Sequence, residues 1–318
     1  MIRIGAQMET TPGLHDVIVV GGSFAGLSAA LMLARARKRV LLVDAGKPRN
    51  RFAAEAHGVI GHDGTPPGVL LGNAVAQLMA YPSVALKVAT ATGVSGQDGQ
   101  FTLMLDGGEE VEARKLVLAT GVTDLLPDIR GVGERWGSGM LHCPYCHGFE
   151  VAGQALGVLG TCAMSPHQAL LISEWGPTTY FTQGQFEPDD EQRRQMQALG
   201  IAIETTPVAA VEGAGRSVER VLLADGRSVP IAAMFLAPAQ ELASDLALQL
   251  GCELDSGPLG PFVKVDGMKQ ASVAGVFAAG DLAAPMQSAP MALAAGQMAG
   301  LAAHRALMED DRRRLLGD

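Results

Sequence analysis

The sequence predicts an α/β fold built from two strand–turn–helix units of nucleotide-binding type, and three observations carry that expectation. First, an apolar strand over residues 17–20 runs straight into Gly21-Gly22-Ser23-Phe24-Ala25-Gly26, followed by a helical stretch over 27–37. Second, another apolar strand over 40–43 ends on Asp44, completing a βαβ unit with its glycine turn between strand and helix. Third, a further strand–turn–helix unit of the same plan begins at Leu156-Gly157-Val158-Leu159-Gly160.

The bulk composition agrees. A chain of 318 residues is long enough for two domains with separate cores. Hydrophobic residues at 48% and charged residues at 18% describe a globular protein and not a disordered one. A net charge of −9 argues against nucleic acid as a partner, because phosphate binding runs on basic patches. No run reaches the ~18 apolar residues a membrane helix needs. The N-terminal MIRIGAQMETTPGLHD has no apolar stretch of signal-peptide length. A cytoplasmic protein that meets neither membrane nor nucleic acid is expected. Four cysteines are too few for a disulfide scaffold, and in a reducing compartment a close pair serves catalysis or metal binding.

The remaining elements follow in order. Strands over 101–105 and 111–115 flank Asp106-Gly107-Gly108 as a hairpin, and residues 116–121 form a separate buried strand returning to the first sheet. In the second unit, helices over 165–175 and 189–199 alternate with strands over 178–182 and 201–204. Another hairpin turns at Ala224-Asp225-Gly226-Arg227. Val276-Phe277-Ala278-Ala279-Gly280-Asp281 reads as a strand ending on a polar residue, and a final helix spans about 290–307. Pro290 suits its first turn, where a missing N–H costs nothing.

In the first unit Gly21 allows the tight turn and Gly26 close helix–strand packing. The helix N-terminus can then hold a pyrophosphate through its free N–H groups and dipole. Asp44, 18 residues past Gly26, is placed to accept hydrogen bonds from a ribose. Ser23 replaces the middle glycine, which is tolerable if its side chain points away from the phosphate. A glycine-rich match alone reads equally well as a structural turn; strand, helix and terminal acid together favour nucleotide binding.

The set Gly21–Gly26, Ala119-Thr120-Gly121 and Ala279-Gly280-Asp281 resembles the FAD signature of two-dinucleotide-binding-domain flavoproteins, over nearly the whole chain. The resemblance implies a Rossmann-like FAD domain over 1–122 and 240–318, with a second Rossmann-like domain inserted at 123–239. It implies FAD contacts from Gly21, Gly22, Ser23, Gly26, Asp44, Thr120, Gly121, Gly280 and Asp281. In that family the acid matching Asp281 binds the ribityl chain, and the next helix aims its N-terminus at the flavin, favouring the anionic reduced ring.

The second unit is degraded. Gly160-Thr161-Cys162-Ala163-Met164-Ser165 keeps only the first glycine of a fingerprint. Thioredoxin reductases place a basic cluster after the next strand to grip the NADPH 2′-phosphate. Here Gln183-Gly184-Gln185 precedes Glu187, Asp189 and Asp190, acids that repel phosphate. NADP(H) binding is expected to be lost or badly weakened, and NADP(H) not required.

His142-Cys143-Pro144-Tyr145-Cys146-His147-Gly148 is the most informative stretch. Cysteines with two residues between them close a small ring, share a lowered thiol pKa, and supply both the attacking and the resolving thiol of disulfide exchange. Two other readings compete. Cys-x-x-Cys-His is also the attachment signature of c-type haem, which needs export. Zinc could use His142, Cys143, Cys146 and His147, but neighbours in one short loop make a poor tetrahedron without a distant pair. Cys162 and Cys252 are isolated and read as buried fillers, so no metal is expected.

The pair's place just after Thr120-Gly121 is similar to that in low-molecular-weight thioredoxin reductases. This implies that Cys146 faces the flavin and Cys143 exchanges with substrate. Those reductases carry an Asp after the second cysteine as proton donor; this chain has His147, which titrates near neutrality. His142 is a second candidate, or a surface histidine. With the degraded second fingerprint, Cys-Pro-Tyr-Cys-His-Gly-Phe-Glu resembles the small-molecule dithiol oxidases that form the disulfides of natural products such as gliotoxin, holomycin and romidepsin. A cytoplasmic, homodimeric FAD enzyme is implied, oxidising a small-molecule dithiol with dioxygen as acceptor. The rivals are an NADPH-linked thioredoxin or dithiol reductase, and a non-enzymatic flavin- or metal-binding regulator.

Overall fold

Leu-His-Asp-Val-Ile-Val-Val favours extended chain through its β-branched residues and forms strand β1 (Leu14–Val20), whose last five residues are buried. That is how a central parallel strand, covered on both faces, reads. The computed structural model describes residues 13–317; the N-terminal segment 1–12, expected to carry no leader, lies outside the described residues. Helix α1 (Phe24–Arg35) begins inside the glycine turn, earlier than expected, and ends sooner because Arg37 adopts a positive φ of 61°. Strand β2 (Val40–Asp44) lies parallel to β1, with Val17 opposite Val40.

Between β2 and β3 (Val84–Val88) come two elements the sequence reading left unassigned, a 3₁₀ turn at Arg49–Phe52 and helix α2 (Pro67–Met79). Strands β4 (Ala91–Gln97), β5 (Gln100–Leu105) and β6 (Glu110–Leu118) extend the first sheet, in the order β3-β2-β1-β6-β5-β4. Here the sequence reading needs correction. The hairpin's second strand and the returning buried strand are one strand, β6, paired antiparallel with β5 and parallel with β1. Arg114 and Lys115 do not interrupt it because their charges are met: Arg114 by Asp311 at 2.6 Å, Lys115 by Asp98 and by Asp310 at 2.7 Å.

Strand β7 (Val122–Leu125), helix α3 (Val132–Arg135), strand β8 (Met140–Leu141) and the one-turn helix α4 (Pro144–His147) lead into a second sheet. That sheet continues with β9 (Leu156–Leu159), α5 (Ser165–Ile172), β10 (Thr178–Phe181), α6 (Asp190–Ala198) and β11 (Ala202–Glu204). Helix α5 stops before the expected residue 175, as Gly176-Pro177 follows and Pro177 disfavours helix just ahead of it. A capping box between Asp189 and Gln192 sets the start of α6. Strands β12 (Val208–Glu212), β13 (Arg220–Leu223) and β14 (Ser228–Pro230) form a meander with the expected hairpin at 224–227. Strand β15 (Ala233–Leu236) enters the parallel sheet, ordered β11-β10-β9-β15-β8. Strand β16 (Ala239–Leu242) pairs antiparallel with β7, so the outgoing and returning chain segments between the sheets lie bound side by side.

After α7 (Leu246–Gln249), β17 (Leu254–Ser256) and β18 (Pro261–Val263), strand β19 (Val276–Ala278) joins the first sheet beside β6. The last helix, α8 (Ala289–Leu316), runs past the expected end at Leu307. Its acids Asp310 and Asp311 dock on Lys115 and Arg114, and Gly317 caps it at a φ of 81°. Helices α1 and α8 touch backbone to backbone: a Cβ at Gly296 would lie 2.0 Å from the Ala25 carbonyl oxygen, and one at Gly300 2.6 Å from that of Ala29. The matched order of these contacts makes the helices parallel, so both N-termini point toward the same end of the first sheet. No helix among the described residues is long and apolar enough to cross a membrane.

Candidate active site

The turn between β1 and α1 is a backbone cradle. Gly21 takes a φ of 108°, and a Cβ there would meet the Ala119 carbonyl oxygen at 2.2 Å; a Cβ at Gly26 would meet the Gly21 oxygen at 1.7 Å. Only glycine fits either position. The Gly22 N–H donates to Asp44 Oδ1 at 2.9 Å, fixing the carboxylate at the end of β2 with its second oxygen available to a ribose. Ser23 is the N-cap of α1 yet makes no side-chain cap bond. The first-turn N–H groups are therefore left for a ligand. Thr120 and Gly121 follow β6 beside this turn, Gly121 at a φ of 72°. Gly280 and Asp281 open the 3₁₀ turn between β19 and α8.

Asp281 does not stand alone. Arg49 Nη1 donates to its Oδ2 at 2.9 Å, while Arg49 Nε and Nη2 grip Asp124 of β7 in a bidentate fork at 2.8 and 2.6 Å. Gln240 of β16 donates to Asp124 at 3.2 Å and exchanges amide hydrogen bonds with Gln287. One guanidinium thus ties the 49–52 turn, both linking strands and the segment before α8 into a single hub. Nothing local in the sequence marks Arg49, Asp124, Gln240 and Gln287, because their partners lie far along the chain.

Cys143 is the N-cap of α4, and Cys146 lies one turn on; both are free thiols, their sulfurs 2.8 Å apart. The Cys146 thiol donates to Cys143, and with the backbone N–H groups of Cys146 and Tyr145 it lowers Cys143 to about 7 despite burial. The shared proton, burial and Glu150 push Cys146 up. Cys143 therefore carries the charge and Cys146 the proton. Trp175 packs under the loop, its ring edge-on to Tyr145 at 5.6 Å between centroids. Tyr145 and Phe149 are 73% and 84% exposed beside the pair.

The histidines separate. Burial, then the Arg49 charge, lowers His142 to about 4, so it is neutral at pH 7 and carries no exchangeable charge there. His147 is lowered by burial while Glu150 opposes the shift. It lines a cleft of about 280 Å³ open beside the redox loop. Cys252 is buried and Cys162 half-buried in the turn of the second unit, and among the described residues no group of three or more His, Cys, Asp or Glu side chains is arranged to hold a metal ion.

That second turn is closed on itself. The Thr161 and Cys162 N–H groups both donate to the buried Ser165 hydroxyl, at 3.0 and 3.2 Å. After β10, Thr182 donates to Glu187 at 2.7 Å, and Glu187 binds Arg193 at 2.6 Å. The sequence reading counted no cation in the stretch after Thr182; the structure brings Arg193 there from α6, already paired.

A family model for pyridine nucleotide-disulphide oxidoreductase matches residues 15–299, and the chain belongs to that family. Among curated relatives, thioredoxin reductase sirT of Leptosphaeria maculans is 32% identical, covering 92% of this chain and 94% of its own. Thioredoxin reductase tcpT of Claviceps purpurea is also 32% identical, covering 95% and 97%. Among solved structures, an oxidoreductase from Agrobacterium tumefaciens superposes with a TM-score of 0.89 at 45% identity, covering 93% of this chain and 99% of its own. HlmI superposes at 0.90 with 36% identity, covering 96% of each. The chain is a two-Rossmann-domain flavoenzyme, an FAD-dependent thiol–disulfide oxidoreductase.

The residues present fit FAD: a glycine cradle and free helix N–H groups for the pyrophosphate, Asp44 for a ribose, and Asp281 oriented by Arg49 for the ribityl hydroxyls. Asp281→Ala removes a charged acceptor worth about 1.5–3 kcal/mol. Flavin retention should fall roughly ten- to a hundredfold, read as free flavin in the filtrate of diluted protein. Full retention at high dilution would contradict the assignment.

Proposed function

We propose that this enzyme oxidises a small-molecule dithiol to its disulfide through Cys143 and Cys146, with dioxygen as terminal acceptor and no need for NADPH. The observation that carries the reading is the closed turn at Thr161–Ser165: the N–H groups a pyrophosphate would use are spent on Ser165. Arg193, which reaches this stretch from α6, is already paired with Glu187 at 2.6 Å, which weakens its offer to a 2′-phosphate.

In the oxidised enzyme the two cysteines form a disulfide. A substrate thiolate attacks Sγ of Cys143, the Cys143–Cys146 bond breaks, and Cys146 leaves as thiolate. The second substrate thiolate then attacks the substrate sulfur of the mixed disulfide, releasing the product disulfide and the Cys143 thiolate. A thiol held near neutrality is a good leaving group, which suits Cys143 to this side of the exchange. His147 takes up and passes on the protons lost by the substrate thiols. FAD supplies the acceptor for the electron pair of the reduced cysteines, and dioxygen takes it as hydrogen peroxide. The net reaction is dithiol plus dioxygen to disulfide plus peroxide. Exposed Tyr145 and Phe149 beside the pair support a small substrate with an apolar face.

The relatives named thioredoxin reductase favour one alternative, the same exchange run backwards from NADPH. Aerobic assay against a panel of dithiols separates the two. The oxidase yields one peroxide per dithiol consumed with no change in NADPH absorbance; NADPH consumption linked to disulfide reduction would reverse the reading.

A further inference from the structure

The cleft beside the redox loop is walled by His147, Glu150, His57, Glu55, Arg51 and Arg216. His57 is clamped between acids from three places: its Nε2 lies 3.4 Å from Glu150 and 3.6 Å from Glu55, and its Nδ1 lies 3.4 Å from Asp63. Of these acids only Glu150 belongs to the segment that carries the cysteines, three residues after His147. The two arginines are committed elsewhere. Arg216 donates to the carbonyls of Trp136 at 2.6 Å and Phe52 at 3.1 Å. Arg51 donates to the Pro48 carbonyl at 2.9 Å and stacks over Phe52. Of the charged groups around this cleft, the Glu150 carboxylate and the His57 imidazole are the ones that act on His147.

We propose that Glu150 and His57 are positioning residues for His147, opposed in sign, that together fix the pH at which His147 exchanges its proton. The carboxylate stabilises the His147 imidazolium. His57 works against it twice, by its own charge when protonated and by holding Glu150 in an ion pair. Burial lowers His147 first; within the cleft the Glu150 carboxylate opposes that shift and the His57 ring adds to it. The geometry also links this control to architecture, because the 49–63 segment bearing His57 contacts the redox unit through Glu150 and through Arg216. The inference rests on the reading of His147 as proton carrier.

The test is NMR titration of the His147 ring in the flavin-loaded enzyme, assigned with His147→Gln, beside the pH profile of dithiothreitol oxidation. Glu150→Gln should move the His147 midpoint down by roughly 0.5–1 pH unit, and His57→Gln should move it up by a similar amount. The double variant should lie between the Glu150→Gln and parent values, because the part of the His57 effect that acts through Glu150 is lost once Glu150 is gone. The acid limb of the rate profile should follow in the same directions. Midpoints that do not move, or that move together, would overturn the proposal. Opposite midpoint shifts with a rate profile indifferent to them and to His147→Gln would overturn His147 as proton carrier while leaving the electrostatic coupling in place.

Discussion

Replacing either cysteine of the pair is expected to abolish dithiol turnover, by on the order of 10³-fold or more, because the two sulfurs act as a unit. The two variants should then differ in what remains. In Cys146→Ser the new hydroxyl can still donate to Sγ of Cys143, replacing the first cause of its lowered pKa. Cys143 should stay near half-ionised at pH 7 and form a stable mixed disulfide with a linear aromatic disulfide, since no neighbouring thiol remains to resolve it. In Cys143→Ser the surviving Cys146 is half-buried beside Glu150 and held protonated. An ordinary thiol near pKa 8.5 is only about 3% ionised at pH 7, so Cys146 should react at least roughly tenfold more slowly. Mass spectrometry of each variant after a timed pulse checks both. Faster labelling of Cys146 than of Cys143 would exchange their roles, and turnover surviving both changes would remove the pair from the mechanism.

What could be read from the sequence was what is local in the chain. Gly21, Gly26 and Asp44 were legible because turn, helix start and strand end follow one another within a single βαβ unit, and the structure joins Asp44 to the Gly22 N–H. The closeness of Cys143 and Cys146 follows from their spacing on one helical turn. Arg49 was invisible because its partners, Asp124 and Asp281, lie 75 and 232 residues along the chain. His57 was passed over for the same reason, its link to Glu150 existing only in the folded chain. The two-for-one error at β6 and the short reading of α8 share one cause. Arg114, Lys115, Asp310 and Asp311 each look like surface charge that ends an element, and only together do they neutralise one another.

The direction of electron flow depends on the second nucleotide unit. A dinucleotide bound there would have to displace Ser165 from the N–H groups of Thr161 and Cys162, and would meet Glu187 with its cation already taken. Losing two phosphate contacts of about 1.5–3 kcal/mol each weakens binding by roughly two to four powers of ten. Any NADPH site should then need high micromolar to millimolar concentrations, whereas a dithiol meets Cys143 directly. The most direct measurement is anaerobic titration of the flavin-loaded enzyme, followed by flavin absorbance, with NADPH and separately with a dithiol. Bleaching complete within two equivalents of dithiol, one for the cysteine pair and one for the flavin, with no response to micromolar NADPH, is the expected result. Rapid bleaching by micromolar NADPH would contradict the oxidase and make this enzyme a reductase.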